Sequence, residues 1–133
     1  MSFVTQRRVL ALTAVVEMGT GLALMVVPGI VVPLLLGTTL SPEGIPLARV
    51  AGTALLALGL ASWPTRAPAG SGVPAFRAML VYNALVALYL THLATARHVA
   101  GLLLWPAVAL HAVVALLLVW TWRKERGSRA AGT

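Results

Sequence analysis

Four apolar stretches, each close to the length that crosses a bilayer as a helix, dominate this chain of 133 residues. They run over about 9–28, 46–63, 75–96 and 99–122. Their borders are the residues that end membrane helices: Arg8 and "PG" at 28–29, then Pro46, then the Pro64–Arg66 break, then "RKERGSR" after the fourth. No soluble domain fits beside four such spans. Composition agrees, because 59% of the residues are hydrophobic and 10% charged, where a soluble domain is about half apolar and a quarter charged. The fold class expected is all-α: a transmembrane four-helix bundle forming one integral membrane domain over 1–133. Arg7 and Arg8 before an apolar run resemble a signal, but the run is long, Glu17 interrupts it and no Ala-x-Ala site follows. An uncleaved first span is expected.

The charges are arranged by topology. The net charge of +7 is carried at the ends of apolar runs, not on one face of a soluble fold, so nucleic acid is not an expected partner. With the N-terminus inside, Arg7, Arg8, Arg66, Arg77, Arg123, Lys124, Arg126 and Arg129 are cytoplasmic, and only Arg49 and Arg97 lie on the far side. Trp63, Trp120 and Trp122 then fall at the cytoplasmic interface, where aromatic belts sit. The first loop, "GIVVPLLLGTTLSPEGIP", opens with an apolar piece too short to span; an interfacial or re-entrant segment between helices 1 and 2 is expected. The second loop, "PTRAPAGSGVPAF", reads as a plain linker. The tail at 123–133 is basic and is expected to fray, fixing topology and touching anionic lipid.

Chemistry is sparse. There is no cysteine and no aspartate, and Glu17, Glu43 and Glu125 are the acids. Disulfides, thiolate metal sites and paired-carboxylate catalysis are thereby undersupplied. His92 and His98 lack the i,i+4 spacing of a helical metal pair, so no metal site and no cofactor are expected. Nothing matches a P-loop, a dinucleotide glycine motif or a nucleophile elbow. Tyr82 and Tyr89 share a stripe and are expected to pack.

The informative residues are polar ones inside spans. On span one, Thr13, Glu17, Thr20, Gly21 and Leu24 share a face; on span two, Arg49, Gly52, Thr53 and Leu56. Ala48, Gly52 and Gly59 offer surfaces small enough for close helix approach. Asn83 lines up with Ala87 and Leu90 on span three, and His111 with Leu104 and Ala107 on span four, beyond a Trp105–Pro106 step expected to kink the helix. At about 1.5 Å rise per residue, Glu17 falls near the midplane, Asn83 and His111 lie slightly toward the cytoplasm at similar depth, and Arg49 lies roughly 10 Å from Glu17 toward the outer surface. The candidate site is therefore a polar cluster of Glu17, Arg49, Asn83 and His111, with Thr13, Thr20 and Thr53 secondary. Two roles stay open. The cluster pins helix register, or it binds a proton or ligand.

"ARVAGTALLALGLASW" (48–63), "YNALVALYL" (82–90) and "WPAVALHAVVALLLVW" (105–120) resemble the small four-helix bacterial membrane proteins of the DoxX-like group. That resemblance implies a four-helix bundle of the bacterial cytoplasmic membrane, some members of the group being accessory subunits. With the charge bias, a multi-pass protein with both termini cytoplasmic is expected, a non-catalytic or accessory subunit beside a second copy or a partner membrane protein. "AVVEMGTGLAL" (14–24) is similar to the first span of the small multidrug resistance family. That likeness implies a proton-coupled transporter of cationic or lipophilic compounds using Glu17, although the strong charge bias and the later spans depart from that family. Some four-to-five-helix sterol isomerases use acids and histidine in a membrane pocket, which keeps a lipid-directed enzyme as a lesser alternative.

Overall fold

A computed structural model describes residues 2–64 and 73–130. Its order is α1 (Ser2–Val26), α2 (Pro28–Leu36), α3 (Gly44–Ala61), α4 (Val73–Ala96) and α5 (Leu104–Ala130), with no strand among the described residues. Four of these helices are long and apolar enough to cross a membrane: Arg7–Val26, Gly44–Ala61, Val73–Ala96 and Leu104–Lys124. They bury little of their apolar surface against one another. Leu47, Leu88 and Leu116 stand 70%, 69% and 68% exposed, which water would not tolerate in such a continuous belt and lipid does. The protein is a multi-pass membrane protein.

α1 packs along α3, α4 packs along α5, and α1 joins the two pairs, chiefly through α5. The α1–α3 contact is made by small residues. Gly21 lies against the Gly52 backbone, and Gly59 against Ala14 and Met18. As α1 ascends from Ala14 to Gly21, its neighbours on α3 descend from Gly59 to Gly52, so the two helices are antiparallel. On the other side of α1, Leu10, Phe76, Met79, Val114 and Leu118 form a buried apolar cluster.

The helix borders depart from the expected ones where local chemistry decides. The fourth span begins at Leu104, not at 99, because residues 98–103 form a turn with His98 at φ 52°. Pro106 therefore lies in the first helical turn, where its missing N–H costs nothing; it starts α5 instead of kinking it. The basic tail does not fray at 123 but continues as helix to Ala130, consistent with a run that lacks proline and is rich in Arg and Lys. The short apolar piece of the first loop is α2. Val27 breaks the helical path before it (φ −130°, ψ 53°), and Gly37 closes it in the left-handed region at φ 69°. Most of the second loop, including Arg66, lies outside the described residues.

Candidate functional site

Glu17 stands at the centre of the Arg7–Val26 span and is 1% exposed. Its Oε1 is buried with no hydrogen-bond partner. The carboxyl group is met from α4 by Tyr82, whose side chain hydrogen-bonds to it. The Tyr82 ring in turn meets the His111 ring edge-on, centroids 5.8 Å apart and planes at 80°. His111 Nδ1 lies 2.8 Å from Asn83 Oδ1, and the Asn83 amide nitrogen donates to the Met79 carbonyl at 2.8 Å. Three helices thus contribute to one polar layer.

Hydrogen-bond bookkeeping fixes the direction of these contacts. The Asn83 amide nitrogen is used by Met79, so Oδ1 faces His111 and can only accept. His111 therefore carries its proton on Nδ1, which leaves Nε2 as an acceptor in the neutral ring. The Tyr82 hydroxyl is the donor to Glu17. The layer ends with acceptor capacity left over: the orphan Oε1 of Glu17 and Nε2 of His111.

The layer lies between apolar ones. Leu10, Glu17 and Leu24 follow at intervals of seven on α1, as do Phe76, Asn83 and Leu90 on α4, and Leu118, His111 and Leu104 on α5. Seven residues rise about 10.5 Å in a helix. Below the polar layer, toward the start of α1, sits the cluster of Leu10, Phe76 and Leu118, with Met79 and Val114 between. Above it, Leu90 and Leu104 are buried.

The structure brings Glu17, Asn83 and His111 to this layer. It does not bring Arg49, which is exposed on α3 and leaves Oε1 of Glu17 unpartnered. The physical reason lies in the packing. α3 meets α1 through Ala48, Gly52 and Gly59, all buried, and Arg49 follows Ala48 by about 100° around the helix. From its place in the second turn of α3 a long arginine reaches the interface more cheaply than the interior. Thr13 is buried, but its hydroxyl is spent on the Val9 carbonyl at 2.8 Å. Thr20 is exposed, and Thr53 is exposed with its hydroxyl on the Arg49 carbonyl at 2.9 Å. Tyr82 is the member that sequence reasoning sets aside as packing. The signal that points to it is its place beside Asn83, at the depth of Glu17. Tyr89, on the same stripe, is exposed. Among the described residues no group of three or more His, Cys, Asp or Glu could hold a metal ion.

The fold and this layer define the class: a four-helix membrane bundle with an ionisable group buried mid-span. No family model, curated protein or solved structure matches the chain.

Proposed function

We propose that this protein is a membrane carrier that takes a proton or a small lipophilic ammonium ion at Glu17. One observation carries the reading: a carboxylate oxygen, buried at mid-span, with no partner. A carboxylate in the bilayer costs several kcal/mol unless something answers it, and buried polar groups left unsatisfied are rare enough to call for an explanation. The spare groups of the layer are acceptors, so the fitting ligand brings an N–H donor and positive charge. Tyr82 adds an aromatic face, which favours cations. Exchange between proton and ammonium at one carboxylate would couple their movement, in line with the likeness of residues 14–24 to small multidrug transporters. The basic ends at Arg7, Arg8, Arg77, Arg123 and Lys124 support termini on the cytoplasmic side of a bacterial inner membrane.

An accessory-subunit role is the second reading. It is favoured by the Asn83–His111 bond, which satisfies both ends of the Asn83 amide and pins α4 to α5 without any ligand. The two readings separate in lipid nanodiscs, with phenethylammonium as probe and tetraphenylphosphonium as a cation without N–H. The carrier reading expects phenethylammonium to bind, to move the Glu17 carboxyl infrared band, and to lose about tenfold or more in affinity in Glu17→Gln, the worth of a charge-assisted hydrogen bond. Equal binding by wild type and Glu17→Gln would refute it. A variant that loses only thermal stability would support the accessory role.

A further inference from the structure

We infer that α2 and residues 98–103 form a lid over the Glu17 layer, so that the layer exchanges with solvent at the α2 end of the bundle while the opposite, basic end stays shut. The inference rests on the carrier reading and adds the side and the moving part.

The two ends of the layer are sealed differently. Toward the basic end the seal is two layers deep. Met79 and Val114 come first, then Leu10, Phe76 and Leu118, and the whole cluster is contributed by three long helices. Thr121 and Ser62 are buried beyond it. Opening that end means parting α1, α4 and α5 along their best-packed stretch. Toward the α2 end the seal is Leu90 and Leu104, and Leu104 is the first residue of α5. What holds Leu104 down is the turn before it, and that turn is held by α2. Leu103 N–H donates to the Leu34 carbonyl at 2.8 Å. Gly101 lies so close to the backbone of Leu34 and Leu35 that a side chain there would collide with it, and Gly37 packs in the same way against Ala100.

α2 has what a lid needs. It is nine residues long and hinged on the non-helical Val27 at one end and on Gly37 at the other. One of its residues, Pro28, is buried, while Ile30 and Leu34 are exposed. Segments held by backbone contacts with few buried side chains open at low free energy. Lifting α2 with the 98–103 turn frees the start of α5 and Leu104, about 10.5 Å from His111. The glycines at 37 and 101 make the closed state possible, since only glycine lets two backbones meet there.

The chain has no cysteine, so introduced thiols report alone. Leu34 and Leu103 are both exposed and bonded backbone to backbone, which puts a Leu34→Cys/Leu103→Cys pair within disulfide reach. Two measurements test the lid. In nanodiscs, the oxidised pair is expected to slow the response of the Glu17 carboxyl band to phenethylammonium at least tenfold, with recovery on reduction; the reduced form is its own folding control. In oriented proteoliposomes, Ala87→Cys, one turn from Asn83 toward the α2 end, is expected to react with a membrane-impermeant thiosulfonate from the α2 side only. Equal rates in the oxidised and reduced forms, or labelling from the basic side, would overturn the lid. If the reduced pair and the wild type show no carboxyl response at all, the carrier reading fails, and the thiosulfonate result still decides the lid on its own.

Discussion

The α1–α3 contact gives the sharpest quantitative test of the fold that holds Glu17. A Cβ added at Gly52 would stand 2.6 Å from the Gly21 carbonyl oxygen and 2.9 Å from both Leu24 Cβ and the Met25 nitrogen. One added at Gly21 would stand 2.6 Å from the Gly52 oxygen and 2.7 Å from the Leu56 nitrogen. Four of these five neighbours are backbone atoms that cannot swing aside. Restoring ordinary contact at 3.4 Å means moving the helices apart by about 0.8 Å. A gap of that size forfeits roughly a quarter to a half of the dispersion energy of the atoms facing it, and overpacked sites typically cost about 1–3 kcal/mol. Alanine returns up to about 1 kcal/mol through its better helix propensity. Gly52→Ala and Gly21→Ala are each expected to destabilise the bundle by about 1–2 kcal/mol. The double variant should cost less than the sum, because one separation relieves both clashes. Gly19→Ala and Gly29→Ala are the controls, since nothing lies within 4 Å of a Cβ at either position; they should be neutral or stabilising. The assay is reversible unfolding in mixed micelles, followed by circular dichroism. If Gly52→Ala is as stable as Gly19→Ala, the helices are not in contact there and the α1–α3 register is wrong.

Four further outcomes follow from the layer and its borders. Tyr82→Phe removes one hydroxyl and leaves the packing, so it should shift the Glu17 carboxyl band while costing about 0.5–1.5 kcal/mol; an unmoved band would mean that the two groups do not meet. Asn83→Ala and His111→Ala should each cost about 1–3 kcal/mol by orphaning a partner, with about 1 kcal/mol of coupling in the double-mutant cycle, and strict additivity would rule out the 2.8 Å bond. Arg49→Gln should change stability by less than about 0.5 kcal/mol and leave the carboxyl band unmoved, whereas a shifted band would restore Arg49 to the cluster. Outside the membrane, Glu43 is held below its ordinary value of 4.5 by a hydrogen bond with its own backbone, then by Ser41. A lowered folded value stabilises above the unfolded one and is lost as pH falls through it, so hydrogen-exchange protection factors at the start of α3 should fall only below about pH 4.5, and an equal fall in Glu43→Gln would refute the assignment.

How much of this was legible beforehand depends on which force set each feature. Hydropathy set the spans, and a run such as 9–28 is readable because the bilayer imposes its length. Depth is readable too, because an antiparallel bundle of straight helices turns residue number into height, which puts Asn83 and His111 level with each other and close to Glu17, slightly to its cytoplasmic side. Orientation about the helix axis was less so. Thr13, Thr20 and Glu17 share a broad face, yet Thr20 is exposed, since α1 buries the narrower strip through Thr13, Ala14, Glu17 and Gly21. Arg49 failed for the same reason: charge complementarity suggested a partner for Glu17, while small-residue packing on α3 decided which way the arginine points. Tyr82 escapes because its stripe with Tyr89 reads as packing, apart from the stripe of Asn83. Tyr82 and Asn83, about 100° apart, both turn to the layer, Tyr82 toward Glu17 of α1 and Asn83 toward His111 of α5. The Trp105–Pro106 step does not kink the helix because a kink needs helical turns before the proline, and the turn at 98–103 leaves two residues, Leu104 and Trp105.

The seven-residue spacing explains why Oε1 of Glu17 is left without a partner. Apolar layers one heptad above and below exclude water from Glu17, and they also fix the heights at which α4 and α5 present polar groups. Asn83 and His111 answer each other across the α4–α5 pair. That leaves α1 one donor, the Tyr82 hydroxyl, for a group with two acceptor oxygens. On its remaining side α1 faces α3 through glycine and alanine, which let backbones touch but bring no side-chain donor. A leucine at position 17 would fill similar space without the unmet acceptor, so packing alone gives no reason for a carboxylate. On the carrier reading a ligand that donates to Oε1 supplies the reason, and its way in would leave the heptad layers below undisturbed, which fits entry at the end we assign to the α2 lid.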